Sequence, residues 1–508
     1  MLESLPLPSP KLEAIPAGTL ADTEVIVAGL TQDGTLSATL AKLDAECGGV
    51  ISRLVQSGQI RGKAGEMTMI ALAALADSSP PDADPLPAVV LAVGLGKEAA
   101  AADDDPERRR AMELSAAVIR KLADRPRGSI TIALAESFSS AAHDVLVTGA
   151  LHGCEGQAIY QDEAALIVPD VIRFSGITDE ALQRGRVIGD AINQTRRLVN
   201  EPPAVIYPES FAARATALAD DAGLTIETWD EKKLDEEGCR AILAVGRGST
   251  RPPRLVIMRH DGGGSEPPIA LVGKGVTFDS GGLSLKPSEG MVAMKCDMAG
   301  AATVVGAMLA LKRLGVKRNV IGLCGLAENM VSGDSYKLGD VIETRSGKTI
   351  EIMNTDAEGR VVLADTLDVA IQFQPSAMID LATLTGASLV ALGTEVAALM
   401  TNNSALCDEV IRVADNEGER VWQLPMHRFY NEQIKSKVAD IKNTGEGRFG
   451  GAITAAKFLE NFVGDVPWLH MDIAGPAFSD QPKPHRDAGA TGVMVRTLVR
   501  WIEDSAAH

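Results

Sequence analysis

The chain of 508 residues has no Cys-x-x-Cys spacing, and its six cysteines are scattered. Closely spaced cysteine pairs are typical of zinc sites and disulfide-rich secreted domains, so neither class is indicated, and we expect reduced thiols in the core. The seven histidines form no His-Glu-x-x-His motif. A Gly-x-Ser-x-Gly elbow and a Gly-x-x-x-x-Gly-Lys-[Ser/Thr] phosphate loop are also missing.

Positive charge is scarce as well. The chain carries 49 Lys and Arg against 68 Asp and Glu, a net charge of −19. Without a broad basic face, nucleic-acid binding dominated by phosphate contacts is not favoured. The N-terminus shows no basic segment followed by an apolar stretch, and no apolar run approaches 18 residues, so we expect no signal peptide and no membrane span. We therefore predict a cytoplasmic protein.

The hydrophobic share of 45% and the charged share of 23% are those of an ordinary globular protein. In the first part of the chain, β-branched runs alternate with helical patterns, which predicts a smaller N-terminal α/β domain over residues 1–178. It contains a proline-rich surface loop at 78–87. An amphipathic stretch then ends at Pro202-Pro203, where a helix cannot continue, and we interpret 179–203 as a connecting helix.

Residues 204–508 show a longer alternation of the same kind. It predicts a larger C-terminal catalytic domain, with a mostly parallel mixed sheet flanked by helices. The fold class is therefore α/β with two domains. The predicted strands lie at about 223–228, 254–259, 268–273, 318–325, 376–381 and 467–473, and the predicted helices at about 298–314, 360–373 and 450–463.

Two short stretches of this second domain gather five metal-competent side chains. They supply four carboxylates and one lysine, so that no histidine or cysteine is needed to complete a site, and a pair of divalent metals would neutralise them. Both stretches follow predicted strands, where ligands of such sheets bind. For any one carboxylate, a solvated surface charge is the better interpretation, and only the combination favours a site. The five residues are Lys274, Asp279, Asp297, Asp356 and Glu358.

The glycines next to these residues indicate how the backbone turns at the predicted site. We expect Gly273, Gly275, Gly281 and Gly282 to form a loop that lets the backbone approach a ligand closely. Asp356 and Glu358, two positions apart in an extended segment, would point to one side, with Gly359 allowing a turn into a helix that begins near Arg360. Arg360 at a helix start can hold an anion, and we expect Lys286 to stay charged.

His470 lies on an apolar predicted strand, where a core histidine with satisfied hydrogen bonds is more common than a ligand. We therefore leave His470 and Asp472 out of the predicted site.

Several motifs resemble the leucyl aminopeptidase family, M17, of cytosolic dinuclear-metal exopeptidases. The central one reads Asn-Thr-Asp-Ala-Glu-Gly-Arg over 354–360. Their order along the second domain makes the resemblance highly specific. The others are Asn200–Pro203, Val272–Lys286, Lys295–Gly300, Asp380–Gly386, Ala439–Asn443 and His470–Gly475.

The resemblance implies a role for each site residue. Asp279 and Glu358 would bridge two metals, Lys274 and Asp297 would complete the tighter site, and Asp356 the more exchangeable one. Lys286 would polarise the scissile carbonyl, and Arg360 would hold a bicarbonate ion that serves as general base. The pocket for the first side chain would be lined by Met294, Thr383 and Gly386, with the Leu384 carbonyl assisting at the metals.

From the resemblance we expect an aminopeptidase that releases N-terminal residues, Leu and other apolar residues preferred, from short peptides with a free N-terminus. It implies a homo-hexamer with the active sites facing an interior cavity. Oxygen-rich ligands suit Mn²⁺, Zn²⁺ or Mg²⁺ and do not identify the ions. Two alternatives stay open at this point: a DNA-binding regulator built on the same scaffold, and a metal-binding scaffold without turnover.

Overall fold

The computed structural model describes residues 6–19, 23–72, 87–97, 106–161 and 166–506. The chain divides into two compact units, and the main division falls between Asn193 and Gln194. Residues 482–487 belong to the first unit although they lie near the C-terminus. The domain boundaries at 178 and 204 remain a prediction, and most of the predicted loop at 78–87 lies outside the described residues.

The N-terminal unit is built on a six-stranded sheet among its described residues, in the order β1-β6-β5-β2-β4-β3. All neighbouring strands are parallel except β3, which pairs antiparallel with β4. The elements in chain order are β1 Lys11–Ile15, β2 Val25–Leu30, α1 Ala38–Glu46, α2 Val50–Gln56, β3 Met67–Ala71, β4 Val89–Gly94, α3 Glu107–Leu122, β5 Ser129–Ile132, α4 His143–Cys154, β6 Val171–Ser175 and α5 Asp179–Asn200.

Both faces of this sheet are covered, because alternate residues of a strand point to opposite sides. In β2, Val25 and Val27 pack with residues of α3 and α4, whereas Ile26 and Ala28 pack with residues of α1 and α2. All six residues of β2 are buried. The alternation of strands and helices predicted for this region is confirmed. The main division between the units falls within α5.

The C-terminal unit contains the larger sheet. Its elements are α6 Pro208–Ala222, β7 Thr225–Trp229, α7 Glu231–Glu236, α8 Arg240–Gly246, β8 Arg254–Asp261, β9 Ile269–Asp279, α9 Ser288–Met291, α10 Ala299–Leu314, β10 Asn319–Asn329, β11 Val341–Glu343, β12 Thr349–Glu351, α11 Glu358–Ile371, β13 Ala377–Ala382, α12 Gly386–Leu392, β14 Ala397–Thr401, α13 Ser404–Glu417, β15 Val421–Gln423, β16 Ile441–Lys442, α14 Gly451–Leu459, β17 Trp468–Asp472, β18 Phe478–Ser479, β19 Gly489–Ala490 and α15 Val495–Ala506.

Eight of these strands form a mixed sheet in the order β15-β14-β17-β13-β9-β10-β8-β7. The central strands β17, β13, β9 and β10 are parallel to one another. Antiparallel pairs occur at β14 with β17, β10 with β8, and β8 with β7. The α/β class with helices flanking a mixed sheet is confirmed, and the parallel strands lie at its centre.

The segment Ser288–Leu314 is, among the described residues, long and apolar enough to cross a membrane by length and composition, and an 18-residue window within it has a mean hydropathy of 1.4. Within that window, 78% is buried inside the protein. Its main part is α10, which packs against β9, β10 and β13. The expectation that no apolar segment approaches 18 residues is therefore wrong for this core helix.

The six cysteines are all free and buried. Burial raises the pKa of Cys324 and Cys239, which keeps these thiols protonated and unreactive. The prediction of reduced core thiols is confirmed.

Candidate active site

Strand β9 supplies two side chains to the site. Lys274 lies in the middle of the strand and Asp279 is its last residue, and both are almost completely buried. The expectation of a loop at Gly273 and Gly275 is wrong, because both residues lie in a continuous strand. These glycines instead admit close neighbours: a Cβ on Gly273 would lie 2.5 Å from the Cα of Ala301 in α10.

The start of α11 supplies the next residues. The helix begins at Glu358, two residues earlier than predicted, and Asp356 lies in the turn before it rather than in an extended segment. Gly359 therefore has a different role from the one expected. It makes room for Lys274, because a Cβ on Gly359 would lie 2.3 Å from Cε and 2.5 Å from Nζ of that lysine.

The Lys274 ammonium joins residues from three separate elements. Its Nζ lies 2.7 Å from Oδ2 of Asp297, in the turn before α10, and 2.9 Å from Oε1 of Glu358. It also donates to the backbone carbonyl of Thr383 at 3.1 Å. The Thr383 hydroxyl donates to Oδ1 of Asp297 at 2.8 Å.

Lys286 occupies the other side of the cluster. Its Nζ lies 2.9 Å from Oδ2 of Asp279 and 2.5 Å from Oδ1 of Asp356. Asp356 is the most open of the carboxylates, with a third of its side chain exposed. The structure thus brings all five predicted metal ligands and Lys286 together.

Burial and the neighbouring charges shift several pKa values in the cluster. Burial, together with the nearby charge of Glu358, raises the pKa of Asp279 to about 6, although Lys286 and Lys274 oppose the shift. Burial raises the pKa of Asp356, with Lys286 acting in the opposite direction. Burial alone would lower the pKa of Lys286, but Asp279, Asp356 and Glu358 together raise it and keep this ammonium charged.

The cluster fits divalent cations. Carboxylate oxygens of Asp279, Asp356 and Glu358 all lie within 4.8 Å of one another. With Asp297 they make four carboxylates against two ammonium groups, a formal excess of two negative charges in a buried region, where like charges repel strongly. Carboxylates raise the pKa of Lys274 despite its burial. Bound cations invert this effect and would favour the neutral amine that a metal ligand requires.

Arg360 lies beside the cluster on α11. Its Nη1 donates to the backbone carbonyl of Asn443 at 2.9 Å, while the buried Nε has no hydrogen-bond partner among the described residues. Burial lowers the pKa of this guanidinium to about 10, so it remains charged at neutral pH. A buried cation with a free donor next to a helix N-terminus is suited to hold a small anion.

The residues predicted to line a side-chain pocket differ in burial and in their contacts with the cluster. Met294 is half-buried and lies in the short turn that leads to Asp297. Thr383 and Leu384 follow β13 directly, and Thr383 contacts the cluster as described. Gly386 is exposed at the start of α12, and a Cβ there would meet nothing within 4 Å.

Several neighbours of the cluster were not predicted. Asn329, at the end of β10, donates to Oδ1 of Asp279 at 2.8 Å and to the carbonyl of Thr355 at 3.0 Å. The Tyr336 hydroxyl donates to the same carbonyl at 2.8 Å. Asn443 accepts the backbone N–H of Met353 and donates to the carbonyls of Asn354 and Ala357, so it bonds to the backbone on both sides of the turn before α11. Asn443 lies within one of the quoted motifs, but nothing in the sequence alone singled out Asn329.

The two residues left out of the predicted site differ in their surroundings. His470 is fully buried, and its Nδ1 lies 2.6 Å from Oδ1 of Asp380, which supports its interpretation as a core residue. Asp472 is also fully buried, yet it contacts Leu384 and Thr385 next to the cluster.

Comparison with family models gives two matches. Residues 193–499 match the catalytic domain of the cytosol aminopeptidase family, and residues 27–163 match the N-terminal domain of the same family.

Individual relatives cover nearly the whole chain. A probable cytosol aminopeptidase of Rhodopirellula baltica is 60% identical over 99% of both chains, and one of Syntrophotalea carbinolica is 41% identical over 96% of this chain and 98% of the relative. Among solved structures, the bottromycin maturation enzyme BotP in complex with Mn has a TM-score of 0.82 at 34% identity, covering 96% of this chain and 100% of its own. A tomato leucine aminopeptidase mutant has a TM-score of 0.83 at 30% identity, covering 98% and 97%.

Proposed function

Because the chain belongs to the cytosol aminopeptidase family, M17, we propose that it is a metal-dependent aminopeptidase that releases N-terminal residues from short peptides. Leu and other apolar residues are the preferred first residues, and the enzyme works as a cytoplasmic homo-hexamer. One observation above all supports this proposal. Four carboxylates and two lysines from β9, α11 and the turns beside them converge within hydrogen-bonding distance in a buried site.

In the proposed site, Lys274, Asp279, Asp297, Asp356 and Glu358 hold two divalent cations, Mn²⁺, Zn²⁺ or Mg²⁺. When bound, such a pair lowers the pKa of water to generate a nucleophile and polarises the peptide carbonyl. A complex with Mn in BotP supports Mn²⁺ as a candidate for this chain. Asn329 fixes the orientation of Asp279, because a hydrogen bond to one carboxylate oxygen sets the direction of the other.

Lys286 stays charged near the reacting carbonyl. Its ammonium is held by Asp279 and Asp356, so it is already oriented before substrate binds. From there it can donate to the oxygen on which negative charge develops, and a preoriented donor of this kind needs no reorganisation during the reaction.

Arg360 binds an anion beside the metal ligands. The buried Nε without a described partner would donate to a bicarbonate ion, and an ion held there would supply a general base. The first residue of the substrate would contact the segments beside the cluster, through Met294, Thr383, Leu384 and Gly386.

The test is hydrolysis of Leu-p-nitroanilide by metal-stripped protein supplied again with Mn²⁺, Zn²⁺ or Mg²⁺, beside the N-acetylated substrate. Turnover of the free-amine substrate alone would support an aminopeptidase. Glu358→Gln should remove the activity, while the exposed Glu266→Gln serves as the control and should retain it. Folded wild-type protein without turnover under any metal would overturn the proposal.

A further inference from the structure

Asp472 is a fully buried carboxylate at the end of β17, directly beside the residue that ends β13. Each of its oxygens is engaged by the chain segment that follows β13. Oδ1 accepts the backbone N–H of Leu384 at 3.2 Å, and also that of Ala474 at 3.2 Å. Oδ2 accepts the hydroxyl of Thr385 at 2.6 Å.

The Thr385 hydroxyl is itself fixed from a second direction. It accepts the backbone N–H of Ser388 at 3.0 Å and so caps the N-terminus of α12. One hydroxyl therefore joins the carboxylate of β17 to the start of a helix. Since the hydroxyl donates to one group and accepts from the other, neither bond can form in the same way with a side chain that lacks this oxygen.

The opposite end of the same segment is attached to the proposed metal cluster. Thr383 donates its hydroxyl to Asp297 and accepts the Lys274 ammonium at its carbonyl. The four residues Thr383–Gly386, which we name the 383–386 segment, are thus held at one end by the cluster and at the other by Asp472. The position of this segment is fixed by two anchors rather than by its own conformation.

We propose that Asp472 is a positioning residue that sets the 383–386 segment and thereby the selection of the substrate's first side chain. The inference rests on the proposed function, because this segment carries the residues assigned to the first side chain and the Leu384 carbonyl. Asp472 acts through Leu384 and Thr385 and touches neither substrate nor reacting atoms. A buried carboxylate with three donors is costly to replace, which makes it a firm anchor.

The experiment compares two substitutions of Thr385 with two of Asp472. Thr385→Ser keeps the hydroxyl, whereas Thr385→Val has nearly the same shape and removes it. Asp472→Asn keeps one acceptor, and Asp472→Ala removes all. For each variant, kcat and KM are measured separately on Leu- and Ala-p-nitroanilide, and Mn²⁺ binding and Tm are measured on the same preparations.

Thr385→Val and Asp472→Asn should lower kcat/KM for the Leu substrate by about 10- to 100-fold, the range that follows from small misplacements of binding groups. The Leu/Ala ratio of kcat/KM should fall at least about threefold. The larger Leu side chain contacts more of the pocket wall than Ala does, so its binding loses more when the wall is displaced. Thr385→Ser should restore the wild-type ratio, and Mn²⁺ stoichiometry should stay unchanged throughout. A purely structural role would lower Tm without moving the ratio.

The outcomes separate the two proposals. Wild-type protein that turns over no free-amine substrate overturns the proposed function and this inference with it. Active wild type, with a Leu/Ala ratio unchanged in Thr385→Val and Asp472→Asn, overturns the inference alone. If Asp472→Ala fails to fold, the Thr385 pair still decides, since both replacements retain a small side chain at the helix cap.

Discussion

Replacing Gly359 by alanine should inactivate the enzyme while leaving the fold nearly intact. The new methyl carbon would lie 2.3 Å from Cε and 2.5 Å from Nζ of Lys274. Ordinary carbon contacts need about 3.5–4.0 Å, so the end of the lysine must move by roughly 1 Å or more. That movement breaks its contacts of 2.7 Å to Asp297 and 2.9 Å to Glu358.

The stability cost of this substitution should be small. Overpacking a core site costs about 1–3 kcal/mol, but the clashing atoms are the far end of a flexible side chain. Alanine also favours a helix over glycine by about 0.5–1 kcal/mol, and Gly359 lies in the first turn of α11. We expect a Tm within a few degrees of wild type. Activity should fall about 100-fold, because Lys274 no longer reaches its position.

Steady-state hydrolysis of Leu-p-nitroanilide, Mn²⁺ titration calorimetry on metal-stripped protein, and thermal unfolding would be measured together. Gly290→Ala is the matched control: it adds the same methyl group to another helical glycine, where nothing lies within 4 Å. Its activity and Mn²⁺ affinity should equal those of wild type. If Gly359→Ala also shows wild-type turnover and Mn²⁺ affinity, the observed packing of Lys274 is not required for the site.

Two further residues give predictions of different kinds. Lys286→Met should lower kcat about 100-fold or more with little change in KM, since it removes the donor that we propose acts on the developing charge. Steady-state kinetics at saturating metal would check this, and an unchanged kcat would remove Lys286 from the mechanism. Asp365→Ala should destabilise the protein by about 3 kcal/mol or more in urea unfolding, because Asp365 accepts the N–H groups of Ala241, Ile242 and Arg345 at 2.7, 3.0 and 2.8 Å, all of which lose their partner. A loss below about 1 kcal/mol would contradict the hydrogen-bond account. Burial raises the pKa of Asp365 to about 7, above about 4 in the unfolded chain. The folded state therefore binds this proton more tightly, and wild type should gain stability relative to Asp365→Asn as pH falls from 7 toward 4, and lose that gain as pH rises through 7. Parallel pH profiles of the two proteins would contradict the assignment.

The central strands were predictable because they are short apolar runs, but their lengths were not. β9 was predicted over 268–273 and extends to Asp279. Lys274, Thr277 and Asp279 interrupt the apolar pattern in this half of the strand, which carries two of the proposed metal ligands. Local propensity gives way to the tertiary environment at such positions.

β14 was missed for the opposite reason. Its sequence, Ala-Ala-Leu-Met-Thr, has only weak β propensity, and all five residues are buried between β17 and β15. Pairing with these neighbours makes it a strand, and pairing across a sheet is not visible in a short window of sequence.

The sequence predicted the carboxylates and lysines of the cluster, whereas Asn329 and Tyr336 beside them were missed. Carboxylates and lysines in glycine-rich segments stand out, whereas an asparagine such as Asn329 looks the same in a turn, a cap or a metal site. Its importance comes from one contact with Asp279, fifty positions away in sequence. A hydrogen bond between residues so far apart in the sequence depends on the register of β9 against β10, and only the folded chain establishes that register.

The acidic cluster is held by elements that are stable for other reasons. Lys274 and Asp279 belong to a strand whose residues are nearly all buried, and Glu358 begins a helix that is buried along most of its length. Fixed side chains of like charge cannot relax apart, so the folded core keeps the carboxylates close in spite of their repulsion. Burial first, and then the charge of Glu358, raises the pKa of Asp279, so this repulsion contributes to the shift. A site held in this way is already shaped for cations before they bind, and cation binding should then stabilise the folded protein rather than reorganise it.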